Sequence, residues 1–160
     1  MMLPILFAEI ARADPDIAEA FAKGPQSAYI YNRQSENEYW DGFKSDMPFM
    51  VMDDFLQRPD SVQQPNPEIF EVIRIVNAAP FTPHAAAVEE KGKQFVNTRA
   101  LIATSNVKEV EAHIKSISDP SAFVRRIDMF AEVTVHPDFA KVHNGVRMID
   151  SSKCVMKEEK

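Results

Sequence analysis

A single cysteine, Cys154, occurs in 160 residues. That scarcity excludes an internal disulfide framework and a cysteine-based zinc site, and it suits a reducing compartment. A membrane-length apolar run is also missing. The hydrophobic stretch from Met1 to Ala11 is broken by Glu9 and followed by Arg12, with no basic region ahead of it, so it reads as neither a spanning helix nor a signal peptide. Positive charge is in deficit: the net charge is −6, which leaves no overall field to attract nucleic acid. Any contact with RNA or DNA has to come from a local basic loop. The four histidines, His84, His113, His136 and His143, fall at no spacing typical of a metal site.

What is present is an ordinary globular composition, 45% hydrophobic and 26% charged, in a length that suits one domain with a real core. Leu3, Ile5, Leu6, Ile10 and Ala13 predict a first helix, and Asp14-Pro15 starts a second through Ile17, Ala20 and Phe21. Ser27 to Tyr31 reads as a short strand. Asn66-Pro67 predicts the start of a helix carrying Ile69, Phe70, Ile73 and Val76 on one face. Ala100 to Thr104 is a continuous apolar run, expected to be a strand buried on both faces. Val107, Val110, Ile114 and Ile117 predict a further helix, Asp119-Pro120 a helical turn, and Met129 to Val135 a last strand. The residues from 146 to 160 read as a polar tail. Alternating strands and helices predict an α/β fold with a mainly parallel sheet, which places chemistry at the carboxyl ends of its strands. The abrupt apolar start reads as the interior of a helix, so the chain is expected to be a piece of a longer product.

The most informative segment is Pro48-Phe49-Met50-Val51-Met52-Asp53-Asp54, an apolar strand that runs into two adjacent carboxylates. Carboxylates at the edge of an apolar core are costly unless paired or bound to a cation. Mg²⁺ takes one or two carboxylates together with waters and phosphate oxygens. The pattern is that of the second acidic motif of P-loop NTPases, although an apolar strand ending in an acidic turn also serves simply as a turn or helix cap. Ser105-Asn106 ends the next apolar run. Phosphoryl transfer needs a metal anchor, a group that positions water, and positive charge for the departing phosphate. Asp53 is the candidate for the metal, Asp54 for the water, and Asn106 for an amide that senses the γ-phosphate. Arg125 and Arg126 are candidates for the charge, offered across a subunit boundary. Each has a bland alternative: Asn106 as the cap of the helix at Val107, and the arginines as an exposed, solvating pair.

In their order along the chain, six segments resemble the superfamily 3 helicase, or AAA+ ATPase, of picornavirus-like positive-strand RNA viruses. They are Tyr39-Trp40-Asp41-Gly42-Phe43, Met52-Asp53-Asp54-Phe55-Leu56-Gln57, Pro80-Phe81-Thr82-Pro83, the stretch from Ala87 to Phe95, Ile102-Ala103-Thr104-Ser105-Asn106, and the stretch from Pro120 to Arg126. The resemblance implies an AAA+-type three-layer αβα fold, incomplete at its N-terminus, over residues 1–145. It implies an ATP- and Mg²⁺-dependent ring ATPase, hexameric in the full-length protein, that acts on single-stranded RNA in genome replication. The expected place is the host cytoplasm at membrane-associated replication complexes, with membrane contact made only by segments outside this chain. On this likeness Trp40 and Phe43 belong to a pore loop that stacks on bases, and Lys91 and Lys93, flanking Gly92, to the tip of a nucleic-acid-contacting hairpin. Trp40 is more often a core or domain-interface aromatic than one that stacks on a base, and lysines so placed are usually just a solvated tip.

The chain departs from the family's pattern in lacking the phosphate-binding loop G-x-x-x-x-G-K-[ST], the cysteine-rich zinc segment and a membrane-binding amphipathic helix. The alternative is therefore a non-catalytic RNA-binding or assembly module that keeps the fold without turnover. A cellular AAA+ protein is disfavoured by the Glu89 to Phe95 segment and the paired arginines.

Overall fold

Asp14 ends one helix and starts the next. In the computed structural model, which describes residues 3–25, 28–84 and 92–153, its backbone N–H closes the last turn of α1 (Leu3–Ala13) on Ile10. Its carboxylate then accepts the N–H groups of Asp16 and Ile17 at the start of α2 (Pro15–Lys23). The side chain thus meets donors that a helix start cannot satisfy internally, and Pro15 fits the first turn, where its missing N–H costs nothing.

Three short strands form a parallel sheet in the order β1 (Ile30–Asn32), β2 (Phe49–Met52), β3 (Ala100–Ala103). The register pairs Ile30 with Phe49 and Phe49 with Ala100; one step along, it pairs Tyr31 with Met50 and Met50 with Leu101. Because side chains alternate across a strand, the two rows face opposite ways. Phe49 and Val51, with Ile30, Ala100 and Ile102, pack against Phe7, Ala11 and Ile17 of α1 and α2. Met50, Tyr31 and Leu101 pack on the other side against Trp40, Phe43, Met47, Phe81 and Ile75. Ile75 ends α3 (Pro67–Ile75), whose Asn66 cap accepts the Glu68 N–H. The sheet is therefore covered on both faces, as the sequence predicts for an α/β fold.

Two expectations need correction here. β3 is half-buried rather than buried on both faces, because it is an edge strand of the described sheet and only β2, in the middle, is enclosed throughout. The helix expected from Val107 to Ile117 shrinks to α4 (Val110–His113). Ile114 turns extended, and the next two N–H groups, those of Lys115 and Ser116, leave the helical pattern to donate to the Asp60 carboxylate. A short helix α5 (Ser121–Val124) follows, where the Asp119-Pro120 turn was expected.

The chain divides into two compact units, Met1–Arg126 and Ile127–Lys160. In the second, the expected strand from Met129 to Val135 has no regular structure, and Met129, Phe130 and Val133 are exposed. An antiparallel hairpin forms instead from β4 (Ala140–His143) and β5 (Val146–Ile149). Its two-residue turn is Asn144-Gly145, both with positive φ (50° and 77°), the geometry that asparagine and glycine favour in tight hairpins. Residues 146–149 are thus a paired strand, and a tail boundary at 146 would cut this hairpin.

Candidate functional site

The parallel register sets Met52 beside Ala103, so the next residues, Asp53 and Thr104, leave the sheet side by side at its carboxyl end. Thr104 bonds to four consecutive residues, the last of β2 and the first three of the acidic turn. Its N–H donates to the Met52 carbonyl at 3.0 Å and its carbonyl accepts the Phe55 N–H at 2.7 Å. Its hydroxyl donates to Oδ1 of Asp53 and accepts the Asp54 N–H at 3.2 Å. Ser105 adds a fifth tie, from its hydroxyl to the Phe55 carbonyl at 2.6 Å.

The turn held this way is strained. Asp54 and Leu56 both have left-handed backbones, φ 53° and 64°, a region that non-glycine residues enter at a cost of about 1–3 kcal/mol each. The Leu56 N–H is met at 2.9 Å by the carboxylate of Glu68, a buried side chain that also accepts from Ser35 at 2.7 Å and from the Asn66 amide at 3.2 Å. Asp60, also buried, accepts the N–H groups of Asn66, Lys115 and Ser116 at 2.8, 2.6 and 2.7 Å. Burial pushes its carboxyl upward, yet these three donors together hold it below the usual aspartate range. Beside the turn lies a cleft of about 260 Å³ lined by Leu56, Gln57, Arg58, Pro59, Asp60, Val107 and His113.

Asp53 and Asp54 themselves are exposed. No group of three or more metal-ligating side chains occurs among the described residues, so this is no all-protein metal cage. Two adjacent, accessible carboxylates do fit Mg²⁺ in its commoner mode, with water and phosphate oxygens completing the shell. Asn106 is exposed at the end of the neighbouring strand's loop. It does not cap a helix at Val107: the Val107 N–H goes to the Ser105 hydroxyl at 3.0 Å, and α4 begins only at Val110.

The two arginines differ. Arg125 is exposed and paired with Asp119 at 3.6 Å, also exposed. The hydroxyl of Ser121 donates to Asp119 and, with Arg125 nearby, holds its carboxyl below the usual range. Arg126 is half-buried and donates back to the Ala122 carbonyl of its own helix.

The residues expected to contact nucleic acid separate in the same way. Trp40 and Phe43 are buried, 6% and 3% exposed. The Trp40 ring stacks on Tyr31 and meets Phe43 and Phe81 edge-on, with the Arg33 guanidinium 5.0 Å over it. Packed like this they offer no open face to a base, which corrects the pore-loop expectation for these two rings. Lys93 is exposed next to Gly92, which has φ +75°, while Lys91 lies outside the described residues, as does Cys154. The two segments nonetheless adjoin: the Trp40 N–H donates to the His84 carbonyl and the Phe95 N–H to the Ser45 hydroxyl. The exposed large rings here are Tyr39 and Phe95.

Thr104, Glu68, Asp60 and Arg33 escaped the sequence reading. Glu68 had a local signal, its place just after the legible Asn66-Pro67 helix start, and Thr104 lay inside the Ile102-Ala103-Thr104-Ser105-Asn106 segment; Asp60 and Arg33 are tied to Ser116 and Glu71, far along the chain.

Residues 11–107 match the family described as RNA helicase. The chain is 40% identical over 116 residues, 72% of its length, to the replicase polyprotein of Acute bee paralysis virus. It is 40% identical over 101 residues, 63% of its length, to the replicase polyprotein of Cricket paralysis virus. To the RNA1 polyprotein of Cowpea mosaic virus it is 27% identical over 128 residues, 80% of its length. Each match spans 6% of the polyprotein concerned.

Proposed function

Since the chain belongs to the RNA helicase family, in the superfamily 3 branch carried by picorna-like virus polyproteins, we propose that it supplies the water-activating and sensing part of an ATPase that works on RNA during viral genome replication. The observation that carries this reading is the joining of the Asp53-Asp54 turn to the Thr104-Ser105-Asn106 loop at the carboxyl end of two parallel strands. That is where open parallel sheets place their ligands.

In the proposed reaction Asp53 holds the hydration shell of a nucleotide-bound Mg²⁺, whose charge offsets that of the phosphates when bound. Asp54 orients the attacking water and takes its proton as the water oxygen bonds to the γ-phosphorus and the bond from that phosphorus to the bridging oxygen breaks, so that ADP leaves. Asn106 hydrogen-bonds the water or the γ-phosphate through its amide. Arg125, the more exposed arginine, reaches the nucleotide of a neighbouring subunit in a ring-shaped homo-oligomer, a hexamer in the whole protein. Lys93, together with Lys91, contacts single-stranded RNA. The site of action is the infected host cell, and membrane attachment belongs to other segments: among the described residues no helix is long and apolar enough to cross a membrane.

The test is hydrolysis by the replicase polypeptide that carries this chain. RNA-stimulated ATP turnover that falls at least about a hundredfold in Asp54→Asn supports the reading. Full activity in that variant defeats it.

A further inference from the structure

Thr104 has four hydrogen bonds to residues 52 to 55, and two of them pass through its hydroxyl. A hydroxyl has one proton to donate. With the Asp54 N–H directed at its oxygen, that proton is committed to Oδ1 of Asp53. We propose that Thr104 is a positioning residue for the acidic pair: its hydroxyl fixes the carboxylate of Asp53 and the left-handed backbone of Asp54 together. This inference rests on the hydrolytic reading above for its catalytic consequence, though not for the contact itself.

The need for such a group follows from exposure. Asp53 and Asp54 are both solvent-exposed, and an exposed carboxylate ordinarily samples several rotamers. A site that must present one oxygen to a hydrated cation, and a second carboxylate to water, loses rate when either wanders. Thr104 engages a single oxygen of Asp53 and leaves the other for a ligand. Its backbone pairs with Met52 and Phe55 on either side, so the hydroxyl sits on a rigid base. The bonds to Asp53 and Asp54 span 51 and 50 residues of sequence, so one side chain locks the carboxyl ends of β2 and β3 to each other.

Two substitutions test this. Thr104→Val keeps the shape and removes the hydroxyl, whereas Thr104→Ser keeps the hydroxyl. In this chain, amide hydrogen exchange read by NMR should quicken about tenfold at Asp54 in Thr104→Val. Exchange should stay unchanged at Phe55, whose acceptor is a backbone carbonyl, and at Val72 in α3. Thr104→Ser should match the wild type at all three. In the replicase polypeptide, Thr104→Val should lower kcat by roughly 10–100-fold with KM for ATP within about twofold, and Thr104→Ser should restore most of the rate. Unaltered exchange at Asp54 in Thr104→Val overturns the clasp. Faster exchange with wild-type kcat overturns the positioning role while leaving the hydrolytic reading intact. A wild-type polypeptide inert toward ATP removes that reading and the catalytic consequence with it, and exchange at Asp54 still decides the contact. If Thr104→Val loses protection at Val72 as well, the smaller Thr104→Ala takes its place.

Discussion

The rings of Phe55 and Phe123 lie nearly parallel, 11° apart in plane with centroids at 5.9 Å, and both are buried. Phe55 follows the acidic pair directly, and Phe123 precedes Arg125 by two residues. The stack therefore ties the turn that bears the carboxylates to the short helix that leads into the arginines. Phe123→Ala should destabilise the chain by about 3–5 kcal/mol, the range for emptying a buried aromatic site. Phe123→Leu should cost much less. Urea unfolding measures both, and equal midpoints for wild type and the alanine variant would show that the stack carries no stability.

The sheet, both opening helices and their caps were legible because their signals are local. Asp14-Pro15 and Asn66-Pro67 need only the next turn of chain to act as caps, and the apolar run before Asp53 needs only its own composition. The acidic turn was legible as a motif, but its mooring was not. Glu68 reaches Leu56 and Asp60 reaches Ser116 across 12 and 56 residues, and no periodicity announces such bonds. The same Asp60 contact cut short the helix expected to run to Ile117, a tertiary bond overriding an amphipathic pattern. The β4–β5 hairpin was missed although Asn144-Gly145 is a strong turn signal; each strand is only four residues long and largely exposed, so no buried face marks it. Trp40 shows the reverse failure. Its motif suggested a pore, and its packing made it core.

Asp60 makes a prediction about acid. Its carboxyl titrates lower in the folded chain than in the unfolded one, so the unfolded state binds more protons between the two values and stability rises with pH there. The contribution is complete above the unfolded value, about 3.9, and is lost as pH falls through the lower folded value. Asp60→Asn should weaken the pH dependence of the urea midpoint below about pH 4. It should also cost about 1–3 kcal/mol at neutral pH, since the Asn66, Lys115 and Ser116 N–H groups would keep only a neutral amide as acceptor. A variant with the wild-type slope in acid would show that Asp60 is not the group responsible.

Arg33 is 4% exposed and forms a two-pronged pair with Glu71, at 3.0 and 2.6 Å, while covering the Trp40 ring. It also donates to the carbonyls of Gln34 and Asn37. Removing one partner of a buried pair strands the other, so Arg33→Ala should cost about 3–5 kcal/mol. Arg33→Lys should recover little, because an ammonium cannot reproduce the planar fork or the contact with the ring. Trp40 is the one tryptophan in the chain, so its emission reports directly on this cluster. Full rescue by lysine, with unshifted emission, would mean that charge alone matters at this position.

Arg125 and Arg126 can be told apart by mixing subunits. The pair between Arg125 and Asp119 is exposed on both sides and screened by solvent, so Arg125 can leave it at little cost and extend toward a neighbour. Arg126 is turned back onto the Ala122 carbonyl and has more to give up. In the replicase polypeptide, Arg125→Ala should therefore lower ATP turnover by roughly 10³–10⁵-fold, as loss of an arginine finger does, and Arg126→Ala by less. A subunit carrying Arg125→Ala still has an intact Asp54, and one carrying Asp54→Asn still has its arginine. If Arg125 acts across the subunit boundary, mixing the two inactive variants should restore part of the turnover, because some interfaces then combine both working halves. Mixtures as inactive as their parents, under conditions where mixed oligomers form, would place Arg125 outside the neighbour's site.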